Sequence, residues 1–255
     1  MKHISTYVRL PPGRPAAGVV RELLDLVFNQ YRWFQPVSYG RFGDEARLVP
    51  GRSDYRDVLA CYDEYPKITI SARPEEDYLM LFPSTRDEYP FVGKLIWAAP
   101  LAEAENANWR NAHLRQVMEV MRLLDSPLAY ACSDEDKSRK SERVIPSPDG
   151  VGSEQAFTVR DPSEGLAGLY WRNFFGPPFV RMFGERLLSL PPDTRQELGD
   201  GLVLVQPYAL PTQAMTPEGD AAEERLITVL GPECFYDHQQ HRKPTRVPEL
   251  TPPTK

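Results

Sequence analysis

The stretch Gly168–Glu185, GLYWRNFFGPPFVRMFGE, constrains this chain more than any other. Four rings, Tyr170, Trp171, Phe174 and Phe175, fall within six positions and are followed by Gly176-Pro177-Pro178. Each proline lacks an N–H and restricts the residue before it, so no helix runs through this point. Proline is nevertheless welcome in a first helical turn. The pattern predicts a strand over Leu169–Phe175, a glycine turn, and a short helix through Phe179, Val180 and Phe183 with Gly184 as its C-cap. Rings in this number need partners on several sides, which marks the densest part of a core. None of them is chemically reactive, so the stretch reads as scaffold.

Around this centre the second half reads as a lobe over 155–236. A strand is expected at Ala156–Val159. A hairpin follows at Asp193–Leu198 and Leu202–Gln206, turned by Gly199-Asp200-Gly201. Thr216 caps a helix that opens with Pro217 and an acidic first turn and stops at Gly231-Pro232. After Tyr236 the chain is polar and proline-rich, so 237–255 reads as a disordered tail.

The first half reads as a second lobe over about 1–132. A strand at Ile4–Leu10 precedes a helix over Ala16–Tyr31, whose apolar residues recur at helical spacing. Val37–Phe42 reads as a short strand. Ser53 is a suitable N-cap for a helix running to Glu64. Lys67–Ser71 alternates as a strand with one buried face. With Tyr78–Phe82 and Phe91–Trp97 it predicts an antiparallel meander, its charged turn carrying Glu75, Glu76 and Asp77. Ala107–Leu124 is the clearest amphipathic helix, followed by a strand at Leu128–Cys132. From Ser133 to Ser153 mixed charges, prolines and glycines predict a long exposed loop, with Asp134, Glu135 and Asp136 on its rim. The fold class is α+β, a mainly antiparallel sheet flanked by helices, with two lobes in one compact domain over 1–236.

Composition narrows the function. The 36 acidic and 30 basic residues give a net charge of −6, with no basic stripe of the kind phosphate contacts require, so direct nucleic-acid binding is not expected. An acidic surface could instead complement a basic protein. No apolar run reaches the length of a membrane span and no signal-peptide core precedes the first prolines, so a cytoplasmic protein with no membrane partner is expected. Three scattered cysteines, Cys61, Cys132 and Cys234, predict reduced thiols rather than a disulfide framework or a zinc site.

Catalytic constellations are weak. His238 and His241 lie near Cys234 and Asp237, but zinc needs more convergent ligands, and no metal or cofactor is expected. Cys61 or Cys132 could pair with a histidine such as His113, which reads as a core-edge residue of its helix. Adjacent acids, Glu75 with Glu76 and Glu223 with Glu224, read as solvated faces rather than an acid/base pair.

One resemblance goes further than the residues alone. YWRNFFGPPFVRMFG, the apolar Leu187-Leu188 before Ser189-Leu190-Pro191, the run Gly199–Leu204 and EERLITVLGPECF over Glu223–Phe235 together resemble a family of bacterial polymorphic-toxin immunity proteins, immunity protein 52. The signature residues are Tyr170, Trp171, Phe174, Phe175, Gly176, Pro177, Pro178 and Gly184. In the first half only Tyr39-Gly40-Arg41-Phe42 joins the match. The resemblance implies a non-enzymatic protein that binds and neutralises a cognate toxin. It further implies a nuclease toxin encoded next door, often delivered by type VI secretion. Candidate toxin-binding residues are the acids Glu75, Glu76 and Asp77 on the meander turn and Asp134, Glu135 and Asp136 on the long loop. The alternatives are a cysteine-dependent hydrolase using Cys61 or Cys132, and an adaptor module.

Overall fold

A computed structural model describes residues 3–48, 55–65, 67–72, 77–147 and 151–250. They fall into two compact units, His3–Ala129 and the chain from Tyr130 onward. The class is α+β with a mainly antiparallel sheet, as the alternation of strand and helix signals predicts.

In the first unit the strands are β1 (His3–Arg9), β2 (Ser38–Gly40), β3 (Ala46–Arg47), β4 (Ile68–Ser71), β5 (Tyr78–Phe82) and β6 (Lys94–Pro100). Their order across the sheet is β1-β6-β5-β4-β2-β3. The expected meander is present: Ile68 lies opposite Leu81, and Leu81 opposite Leu95, in antiparallel register. Its turn, with Glu75 and Glu76, lies outside the described residues. All four residues of β4 are buried, not alternate ones. The reason is the loop between β2 and β3, which covers the second face. A Cβ on Gly43, whose φ is +100°, would come within 2.7 Å of Ser71 Oγ and 2.9 Å of Thr69 Cγ2. Only glycine lets the loop lie this close.

Helix α1 (Ala17–Leu24) ends about two turns earlier than its apolar spacing predicts, and the chain continues as a π-helical turn over Asp25–Gln30. There Tyr31 N–H bonds to Leu26 O at 2.9 Å, five residues back. Helix α2 (Arg56–Glu64) starts from Tyr55 in the left-handed region, φ 46°; Ser53 lies outside the described residues. Helix α3 (Ala107–Leu123) is capped by Asn106, whose side chain accepts from the N–H of Asn108 and Trp109. Its His113 is fully buried. One ring nitrogen lies 2.9 Å from Thr6 Oγ1 and the ring stacks on Trp109 at 4.9 Å, so it belongs to the core rather than its edge.

The second unit contains β7 (Leu128–Ser133, mostly within this unit), α4 (Asp134–Ser141), β8 (Glu142–Pro146), β9 (Ser153–Phe157) and β10 (Arg172–Phe175). These are followed by α5 (Pro177–Phe183), β11 (Arg195–Gly199), β12 (Leu202–Val205) and α6 (Pro217–Leu230). Strands β11-β12-β10-β7 lie side by side, and β8 and β9 form a separate hairpin. The Gly199-Asp200-Gly201 turn joins β11 to β12 with φ of 83°, 52° and 73°, the left-handed backbone that this tripeptide supplies.

The aromatic signature forms the core of this unit. Trp171, Phe174, Phe175, Phe179 and Phe183 are fully buried. Phe175 meets Phe183 edge-to-face at 5.0 Å, and Tyr170 stacks on Tyr130 at 4.5 Å. Gly176 is the N-cap of α5, Pro177 and Pro178 open it, and Gly184 ends it. Asn173, a buried polar residue inside the motif, is satisfied. Asn173 accepts from Tyr170 N–H at 2.9 Å and donates to Tyr170 O at 2.8 Å and Val205 O at 3.0 Å.

Two expectations fail here. The stretch 133–153 is not one exposed loop, because it folds into α4 and β8. Ser133 caps α4, three acids fill its first turn, and Arg139 and Lys140 sit in its last, an arrangement that suits the helix dipole. Nor are residues 237–250 of the expected tail disordered; 251–255 lie outside the described residues. The backbone N–H groups of Thr245 and Arg246 both bond to Glu233 O at 2.9 Å, Asp237 and Arg242 bridge one another, and Pro248 is buried.

Candidate functional site

The six acids proposed as contact residues do not form two equivalent clusters. Glu75 and Glu76 lie outside the described residues. Asp77 is half-buried, and its carbonyl accepts from Ala72 N–H at 2.9 Å where the meander turns. Asp134 and Glu135 are exposed on the first turn of α4, whereas Asp136 is fully buried. Asp136 is therefore no surface acid. Its turn of helix points inward because Lys140, four residues on, follows it into the interior.

Lys140 is the centre of a buried ion cluster. Its ammonium lies 2.7 Å from Asp136 Oδ1 and 2.7 Å from Glu223 Oε2, and it also donates to Leu169 O. Tyr208 donates its hydroxyl to Glu223 at 2.9 Å. Arg139 reaches from the rim to Asp136 at 3.0 Å, Asp220 at 2.7 Å and Ala214 O at 3.0 Å. Burial pushes the Glu223 carboxyl up and the Lys140 ammonium pulls it back down, burial winning. Glu223 is thus not a solvated face residue, contrary to its reading beside Glu224. With its N–H groups directed at two carboxylates and a carbonyl, Lys140 is an anchor and not a nucleophile. The sequence signal for it was the i, i+4 pair Asp136 and Lys140, hidden inside the charged run DEDKSRKSER.

Beside this cluster lies a cavity of about 780 Å³, bounded by α6 and by the ordered C-terminal segment, with Glu223, Phe235, His238 and Arg242 among its lining residues. A ring nitrogen of His238 lies 2.7 Å from Ala167 O, so this histidine is occupied in joining the segment to the unit. Lys243 continues the attachment through Glu164 at 3.0 Å. Burial pushes the Glu164 carboxyl up, but the Arg160 N–H and the Lys243 ammonium outweigh it and hold the group below the ordinary 4.5. A depressed carboxyl contributes stability that is present above 4.5 and lost as pH falls through its folded value. Glu164→Gln is accordingly expected to unfold with a flatter dependence below pH 4.5, checked by urea titration across that range.

The three thiols are not activated. Cys132 and Cys234 are buried. Burial pushes Cys132 well up, and burial followed by Glu233 pushes Cys234 to about 11. The half-exposed Cys61 is also raised, by burial and then by Glu45 and Glu64. A nucleophilic cysteine needs the opposite surroundings.

Cys61 lies instead in a second cavity, of about 600 Å³, in the first unit. It is lined by the rings of Tyr39, Phe42 and Tyr65 and by the carboxylates of Glu45, Asp57 and Glu64. The tetrapeptide Tyr39-Gly40-Arg41-Phe42, the one first-half stretch in the sequence resemblance, forms part of its wall. Glu45 shapes it by accepting from Phe42 N–H at 3.0 Å. The Phe42 ring is 68% exposed, a large apolar group presented to solvent. Burial and then Asp57 push the Tyr39 hydroxyl up, and Glu64, accepting a hydrogen bond from Tyr65, pushes that hydroxyl up as well. Of the shifts at Cys61, Tyr39 and Tyr65, the first two come mainly from burial, and only that of Tyr65 is led by a carboxylate.

No protein-family model matches the chain, and no curated protein matches it. Among solved structures, the chain is similar in fold to the Pseudomonas aeruginosa T6SS protein PA0821. The TM-score is 0.58 at 13% identity, covering 90% of this chain and 72% of that one. At this identity the likeness shows a shared α+β fold.

Proposed function

We propose that this protein is an immunity protein that binds and neutralises a toxin used in type VI secretion, acting in the cytoplasm of the cell that makes the toxin. The observation that carries the reading is the fold likeness to a T6SS protein along nine-tenths of the chain. The immunity protein 52 resemblance of the aromatic core and of α6 supports it from the sequence side. Neutralisation proceeds by occlusion. A stable interface buries about 1,600 Å² in total, and the rim acids Asp134 and Glu135 and the aromatic cavity of the first unit offer acidic ground for a basic nuclease surface. The substrate face of a nuclease must attract phosphate, so an acidic partner can compete for it.

The test is growth of a susceptible bacterium carrying the neighbouring open reading frame, with and without this protein. The expected result is toxicity relieved on co-expression. A neighbour that stays toxic in the presence of folded protein would sink the reading.

A further inference from the structure

Resting on that reading, we infer that the cavity of the first unit receives a cationic side chain, an arginine above all, from the protein partner. Its chemistry is specific in three respects. The volume of about 600 Å³ lies within the range of small-ligand sites. Three aromatic rings line it, and the face of such a ring attracts a cation, most readily a guanidinium. Among the lining residues three carboxylates, Glu45, Asp57 and Glu64, stand against one guanidinium, that of Arg41. Arg41 is itself engaged 5.3 Å over the Phe42 ring, and Lys67 lies 4.4 Å from the same ring. This ring therefore already holds cations of the chain's own, and it still presents most of its surface outward. The planar, weakly hydrated guanidinium is the group that rings and carboxylates together desolvate most readily. An anionic side chain would meet the excess of carboxylates in this lining and be repelled by it.

Cys61 lines the cavity and is the one cysteine of the three that is not buried, so its alkylation reports occupancy. The full-length protein is treated with iodoacetamide in low salt, alone or with N-acetyl-arginine amide or its neutral isostere N-acetyl-citrulline amide. The arginine compound is expected to slow modification of Cys61 several-fold and the citrulline compound to leave it unchanged. In 1 M salt the protection should shrink, because screening is then complete within roughly 3 Å. Glu64→Gln, which keeps size and hydrogen bonding, should abolish much of it. Equal effects of the two compounds, or none from either, would overturn the inference. The toxin complex supplies the second arm. Bound toxin is expected to protect Cys61, and Glu64→Lys to weaken binding at least about tenfold, given the energies of close charge pairs. Toxin that binds while Cys61 reacts at its free rate removes the cavity from the interface and leaves neutralisation standing. A toxin that does not bind at all sinks the neutralisation reading, and the cavity's cation preference is then decided by the two small compounds.

Discussion

Lys140→Met is expected to lower the unfolding free energy by about 3–5 kcal/mol, the cost of breaking a buried ion pair from one side. The ammonium is the partner shared by Asp136 and Glu223, both withdrawn from solvent. Methionine fills the space of the lysine stem but leaves two buried carboxylates near each other without their shared cation. Urea titration should show a lower midpoint with an unchanged slope. The triple variant Lys140→Met, Asp136→Leu, Glu223→Met removes the charges together and should recover much of the loss, since apolar replacement of a whole buried cluster is often neutral. The pH dependence follows from the sign of the Glu223 shift. A carboxyl whose folded value is raised contributes most below the unfolded value, and the contribution is lost as pH rises through the folded value. Without Lys140 only the Tyr208 hydroxyl remains to pull that value down. The deficit of the single variant should therefore be smaller near pH 5 than near pH 7.5, the direction that linkage requires for a raised acid.

The second large effect belongs to the aromatic core. Trp171→Ala is expected to cost about 3–5 kcal/mol through lost burial and the cavity left behind. Trp171 is fully buried and its indole N–H donates to Ala209 O at 3.1 Å. The guanidinium of Arg172 lies 4.4 Å from the same ring. The substitution would thus remove that hydrogen bond as well as empty a site. Trp171→Phe keeps much of the volume and loses the hydrogen bond, so it should fall between wild type and alanine. Differential scanning calorimetry on the three proteins would order them. Alanine unfolding at the wild-type temperature would mean that the ring is not the keystone its packing implies.

Much of the fold was legible because local chemistry and tertiary packing agree. Thr216 with Pro217, the Gly-Asp-Gly turn and the double proline after Phe175 each admit few conformations, and each appears where the spacing places it. The failures share a different cause. Helix α4 is written in charged residues, and a charged run reads as solvated unless its caps are weighed against its composition. The π-helical turn after Leu24 keeps the apolar spacing of an α-helix, so periodicity does not reveal it. The C-terminal segment is held by backbone bonds to Glu233 and by ion pairs, neither of which leaves an apolar pattern. At the level of the site, the acidic cluster 134–136 was visible as charge, but the inward turn of Asp136 depends on Glu223, 87 positions away. The cavity at Cys61 was visible only as the motif Tyr39-Gly40-Arg41-Phe42, without its partners on α2.

The measurement closest to the central claim is calorimetric titration of this protein with the purified toxin domain encoded beside it, read together with the toxin's activity. Neutralisation by binding predicts a one-to-one complex of nanomolar affinity, about 12 kcal/mol of binding free energy, and loss of toxin activity in step with its formation. Active toxin in the presence of a molar excess of folded protein, with no heat of binding, would contradict it.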